Sequence, residues 1–415
     1  MKNLRKKLYE NIEKQRLTLT TMADDIFDNP EAGLTEYRAS ALLCDKLRRC
    51  GFEVEQGICG LPTAFRAVFT NGTGGPSIGL LCEYDAIEGF GHACGHHLQG
   101  PAITGAATAI KEELGEHPFR LVVYGTPAEE TVGGKIIMQE GGAFQDIDIA
   151  LMMHGAPTTC VDVKSMALQS CEVTFHGTAT HAAIDPAGGR SALDALLLAA
   201  NGVEFMREHT EDDTRLHYTI LDAGGPSNKI PCLAKGEFTV RSYDTDYILS
   251  LYERLLNIFR GAALMADVDF EVKPEPFFKA KIPVLKLNEL IMENAEKAGA
   301  PAIRPPREKT GSTDFGNLMY ELPGSCIRVA FVEEGTSPHS QAYLDAGKSE
   351  AAHNAIITGA TVLAGVTADL IYRKELLSEI QAEFRGSKEK AKAKAQATAR
   401  RQTKATESLK SEQLS

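Results

Sequence analysis

Four short apolar runs of strand type lead into residues able to bind a metal ion, and no other feature restricts the folding of this chain as much. Ile78 to Cys82 runs into Glu83, Asp85 and a loop holding Cys94 and His96 in Gly-His-Ala-Cys-Gly-His-His. Leu121 to Tyr124 runs into Glu129 and Glu130 in Pro-Ala-Glu-Glu, and Ile149 to Met153 ends at His154. Cys326 to Val332 leads toward His339 in Ser-Pro-His-Ser. Residues so far apart in sequence can meet if the runs are neighbours in an open α/β sheet, where the carboxyl ends of the strands form the ligand crevice. The pattern predicts one buried site with Cys94, His96, Glu130, His154 and His339 as ligands.

Taken singly these signals are weak. A lone Cys-x-His is about three times more often structural than ligating, since buried cysteines are common and inert. Adjacent glutamates usually open a solvated helix, and one histidine is usually a satisfied core residue. The joint pattern reverses those odds. Cys94 and His96 alternate with small residues, so both side chains can point one way if the stretch is extended. Thiolate and imidazole suit zinc and its neighbours. Glu129 and Glu130, being adjacent, diverge, which suits a division of labour. One binds metal, while the other takes a proton from an activated water and delivers it to a leaving amine.

With 415 residues the chain is long enough for two or three domains. Leu4 to Phe27 and Tyr37 to Arg49 carry apolar residues at helical spacing, and strand-like and helical segments alternate to about residue 165. That alternation predicts an α/β fold, a central sheet covered by helices. Between about 166 and 274 the order becomes strand, helix, strand, strand, helix, strand, the ferredoxin-like β-α-β-β-α-β pattern. We read it as an inserted domain, because the first pattern resumes afterwards with Leu285 to Ala298 and Ala351 to Leu370 as closing helices. The expected division is therefore 1–165 with 275–375, 166–274 as the insertion, and 386–415 as a disordered or transiently helical basic tail with almost no large apolar residue.

A net charge of −12 argues against a nucleic-acid footprint on the folded body, although the last 30 residues alone carry +5. Nine scattered cysteines without Cys-x-x-Cys indicate a reduced protein of the cytoplasm. The charged, amphipathic first residues lack the apolar core of a signal peptide, and no run approaches membrane-spanning length, so no membrane partner is expected.

GHACGHH, GTPAEE followed by GGK, MMHG, GTATHAA, NKIP, GSTDFG and the SPHS histidine, in this order and around this insertion, resemble the M20 family of metallopeptidases. The resemblance runs from about residue 15 to 375. It is similar within that family to the aminoacylase and amidohydrolase branch, and most to the peptidase M20 domain-containing protein 2 type, whose members resemble dipeptidases for unusual dipeptides. It implies a zinc-peptidase-like catalytic domain with a lid, and two divalent ions, Zn2+ or Mn2+, held by Cys94, His96, Glu130, His154 and His339. It makes Glu129 the general base, His181 of the lid a catalytic group that polarises the scissile carbonyl or holds the substrate carboxylate, and Asn228 and Arg241 substrate-carboxylate contacts. Asp85 would orient a ligand. A small N-acyl amino acid or dipeptide would be the substrate and a homodimer the assembly, with His181 often reaching in from a partner subunit. His97, Glu83 and Thr131-Val132 depart from the branch's usual residues without removing a ligand. The alternatives are amide exchange or synthesis at the same site, or a non-catalytic regulatory relative, which would have no need of Glu129.

Overall fold

The four apolar runs are strands, and they lie side by side. Among the described residues, 2–412 of the computed structural model, eleven strands follow in chain order. They are β1 (Glu53–Gln56), β2 (Phe65–Asn71), β3 (Ser77–Cys82), β4 (Phe119–Gly125), β5 (Ile149–Ala156), β6 (Cys160–Val161), β7 (Ala167–His176), β8 (Arg215–Asp222), β9 (Leu233–Ser242), β10 (Asp269–Pro274) and β11 (Gly324–Ala330). The chain divides into two compact units, one running to Lys164 and resuming over Lys281–Glu389, the other Ser165–Ala280 with the residues from Lys390 onward.

The first unit holds a seven-stranded sheet in the order β1-β2-β4-β3-β5-β11-β6. Its centre, β4-β3-β5-β11, is parallel, so the carboxyl ends of the four runs share one edge. Nearly every residue of β3, β4, β5 and β11 is buried, as expected of strands covered on both faces. On one face Leu81, Val122, Tyr124, Met152, Phe315 and Leu318 form a cluster. Against the sheet also pack the helices Gln99–Glu113 and Glu350–Tyr372, both rich in Ala and Gly. Small residues are required there: a Cβ on Gly359 would meet Met153 Cε at 2.6 Å, and one on Gly365 would meet Asn294 Oδ1 at 2.5 Å.

Glu350–Tyr372 is also long and apolar enough to cross a membrane, which corrects the expectation that no run approaches that length. Its most apolar window is 83% buried within the protein, the position of a core helix. Leu4 to Phe27, expected as one helix, is two, Lys2–Lys14 and Arg16–Asp28. At Gln15 the backbone N–H turns to Ile12 O, three residues back, and the side-chain amide donates to Gly105 O.

In the second unit the antiparallel sheet β10-β7-β9-β8 is covered by the helices Ala192–Arg207 and Thr245–Ala266, the ferredoxin-like arrangement. Phe175, Phe238, Phe259, Leu196 and Leu251 fill the space between sheet and helices.

The region from 386, expected to be a disordered or transiently helical tail, is instead the continuation of one helix, Lys374–Glu412, with 413–415 outside the described residues. Leu376, Ile380 and Phe384 bury one stripe of its first part, and the Glu383 carboxylate accepts the backbone N–H groups of Leu285 and Lys286. Lys, Ala, Gln and Arg are good helix formers even where no apolar face follows.

Candidate metal centre

Asp85, three residues past β3 and 1% exposed, ties the ligand loops together. Its Oδ1 lies 3.1 Å from His96 Nδ1, and its Oδ2 accepts the Glu130 backbone N–H at 2.9 Å. An Nδ1 proton donated to Asp85 leaves His96 Nε2 as the lone-pair nitrogen, facing the cluster. The expectation that Cys94 and His96 align through an extended stretch is corrected. Gly95 lies between them at φ +83°, and His96 opens a 3₁₀ turn, so a left-handed glycine rather than strand alternation brings the pair together.

Ligand atoms of Cys94, His96 and His154 lie within 4.8 Å of one another, as do those of Cys94, Glu130 and His339, and those of His96, Glu129 and Glu130. All five expected ligands and the expected base thus converge. His154 Nε2 is 3.6 Å from Cys94 Sγ, and its Nδ1 is fixed 2.6 Å from Gly155 O. Rather than following β5, His154 sits inside it, two residues before its end. His339 Nε2 is 3.3 Å from Glu130 Oε1, while its backbone N–H donates to Ala93 O. The His339 side chain is 50% exposed, so the site opens to solvent on that side rather than being fully buried.

The donor set fits a metal. His96 Nε2 and Glu130 Oε1 are buried and make no well-formed hydrogen bond, their nearest polar neighbours being Glu83 Oε2 at 3.2 Å and His339 Nε2 at 3.3 Å, themselves metal-capable groups, an arrangement that a cation would complete. Burial, helped by Glu130 and Glu129, pushes the Cys94 thiol up to about 12, and burial, helped by Arg328 and His96, pushes the His154 imidazole down to about 3. Burial opposes charge on His96 too, but Cys94, Glu83 and Asp85 outweigh it and raise its basicity. The Glu129 carboxyl is raised well above the usual carboxylate range by burial, then by Glu83 and Asp314.

Several residues of the site have no role that the sequence assigns. Glu36, completely buried, accepts the Ala128 backbone N–H at 2.8 Å and the Thr63 hydroxyl at 2.8 Å. It thereby pins the loop before Glu129, where Ala128 has φ +59°. Lys135 and Asp314 stand in GGK and GSTDFG, segments that contribute only to the resemblance, and Glu83 stands out in sequence only as a departure from it. A charged residue within an otherwise apolar or glycine-rich segment was the available signal.

In the second unit His181 and Asn228 are neighbours. His181 bridges Lys229, and the Ala182 N–H donates to Asn228 O. Both side chains are exposed. Arg241 is not with them: it pairs with Leu168 on β7 and Arg215 on β8, at the far end of β9. The stretch from Leu233 to Arg241 alone spans roughly 26 Å of extended strand.

The profile of peptidase family M20/M25/M40 matches residues 77–368 of this chain. An Xaa-Arg dipeptidase of Mus musculus is 31% identical, over 92% of this chain and 92% of its own length. A p-aminobenzoyl-glutamate hydrolase chain of Escherichia coli (strain K12) is 29% identical, over 90% of this chain and 93% of its own length. Among solved structures, a Bacillus subtilis dinuclear metal binding peptidase from the M20 family aligns with a TM-score of 0.68 at 18% identity, covering 87% of this chain and 99% of that one, a likeness of fold.

Proposed function

The chain belongs to peptidase family M20/M25/M40, and from that premise we propose that it is a metal-dependent hydrolase of the amide bond in a small N-acyl amino acid or dipeptide. The observation that carries this reading is Glu129, a carboxyl of raised proton affinity whose oxygen lies within 4.8 Å of ligand atoms of His96 and Glu130 in a cluster of metal-capable groups. Relatives named for Xaa-Arg dipeptides and p-aminobenzoyl-glutamate support the substrate class, since both named substrates end in an α-amino acid.

Two divalent ions would be held by Cys94, His96 and His154 on one side and by Cys94, Glu130 and His339 on the other, with Cys94 common to both. The thiolate and the imidazoles favour zinc, with manganese second. Bound there, the ions would supply Lewis-acid polarisation and an acidified water. Glu129 accepts the proton of the attacking water and returns it to the departing amine. Asp85 holds His96 and Glu130 in register throughout.

The family resemblance supports His181 and Asn228 as further substrate contacts and Arg241 as a bidentate hold for a carboxylate. His181 lies outside the strands beside Lys229 and Arg241 at the far end of β9, a separation better suited to contacts from two chains than from one. A partner subunit supplies one of them, which supports a homodimer. Nine free cysteines suit the cytoplasm. Elemental analysis of purified Glu129→Gln, alongside turnover of a panel of dipeptides and N-acyl amino acids, tests the reading. Metal content stays and kcat falls by about 10²- to 10⁴-fold. Wild-type turnover at saturating metal would refute it.

A further inference from the structure

Beside the ligand cluster lies a second group of charges. Glu83, Glu129 and Asp314 each bring a carboxylate oxygen to within 4.8 Å of the others. Such a trio needs a cation, and the chain provides one of its own. Lys135 is fully buried, and its Nζ donates to Glu83 Oε1 at 2.6 Å and to Asp314 Oδ1 at 2.7 Å. Its backbone N–H donates to the second oxygen of Asp314 at 3.0 Å. Glu83 is held from its other side by Gln99, whose amide donates to Oε2 at 2.7 Å, and that same Oε2 lies 3.2 Å from His96 Nε2.

The loop that carries Glu129 and Glu130 is built to put a lysine there. It folds back on itself, the N–H groups of Gly133 and Gly134 both turning to Ala128 O. Gly133 has φ +68°, and a Cβ on Gly134 would meet Pro127 O at 1.9 Å, so only glycines allow the return. Lys135 is the next residue, in the first turn of the helix Gly134–Glu140. An ion pair this deep is an expensive way to gain stability, because desolvation offsets most of the attraction. Its placement against the base points to a different use.

We propose that Lys135 is a positioning residue for hydrolysis: its ammonium, locked between Glu83 and Asp314, fixes the charged frame against which the Glu129 carboxylate is set. The inference rests on Glu129 being the general base. Without the ammonium, the buried carboxylates of Glu83 and Asp314 repel the half-buried Glu129, which swings from the line of the water it must deprotonate. The ligands keep supports that do not involve Lys135, His96 and Glu130 on Asp85 and His154 on Gly155 O.

The test is a double-mutant cycle with Lys135→Met and Glu129→Gln, read as kcat, KM and metal content at saturating metal. Lys135→Met alone should lower kcat about 100-fold, leave KM within about threefold, and keep the metal. In the Glu129→Gln background it should cause no further loss, since it acts through that carboxylate. Asp314→Asn, which leaves the lysine in place, should reproduce the same kcat-against-KM split and covers the case in which Lys135→Met fails to fold. Multiplicative losses in the double variant, loss of metal together with activity, or wild-type kcat in a folded Lys135→Met or Asp314→Asn would overturn the proposal. An active Glu129→Gln would instead remove the base assignment itself, so the two failures are distinguishable.

Discussion

Replacing Asp85 by Asn tests the centre through a residue that touches no metal. The two side chains have the same shape, and at 1% exposure no solvent can stand in for what is lost. Asp85 uses one oxygen for His96 Nδ1 at 3.1 Å and the other for the Glu130 N–H at 2.9 Å. An amide has one oxygen and one NH2 group, so whichever way it turns, a donor faces a donor on one side. One charge-assisted hydrogen bond is lost, worth about 1.5–3 kcal/mol. The partner left behind is either the His96 ring, free to take the wrong tautomer, or the loop carrying Glu130. Either loss falls on metal affinity, which should weaken about 10- to 100-fold. The assay is competition against a chelator of known affinity, with melting of the metal-free protein as the control for folding. A dissociation constant within twofold of wild type would show that Asp85 does not orient His96 and Glu130, and the ligand geometry would have to be redrawn.

Cys94→Ser should lower the metal retained after dialysis while leaving the fold intact, because the thiolate is common to both halves of the site; unchanged metal content removes it as a ligand. A mixture of two inactive chains, His181→Ala and Glu129→Gln, should regain activity if His181 acts across the dimer, since the mixed dimer then holds one complete site. No recovery in a verified mixed dimer would place His181 in its own chain's site. Asp162 accepts from Arg307 Nε at 2.6 Å and Arg328 Nε at 2.9 Å. Burial raises its proton affinity, but the two guanidinium groups prevail and hold its carboxyl at about 2 instead of 3.8. This contributes roughly 2 kcal/mol that is complete above pH 4 and is lost as pH falls through 2. Asp162→Asn should therefore melt lower at pH 7 and show a shallower fall in Tm between pH 4 and pH 2; parallel curves would refute the pairing. Truncation after Arg385 should spare the stripe of Leu376, Ile380 and Phe384 and leave Tm and activity unchanged, whereas a large fall would show that the later part of the helix supports the fold.

Element order and the set of metal-capable residues that converge were legible in the residues. Short β-branched and apolar runs bounded by polar residues mark strands locally, and Cys94, Glu130 and His154 each lie in or within 12 residues of such a run, so they could be picked out as candidates from nearby sequence. The inserted β-α-β-β-α-β unit was legible for the same reason, its periods changing within each segment. What tertiary structure alone decided is what joins distant segments. Lys135 meets a carboxylate 52 residues before it and another 179 residues after it, and Asp162 meets two arginines more than a hundred positions away. No local pattern marks such a pair, because a buried charge is defined by the partner that neutralises it and not by its sequence neighbours. His339 shows the same limit from the other side: its motif announced a ligand, but only the packing of its loop against Ala93 decided that the ring stands half in solvent at the mouth of the site.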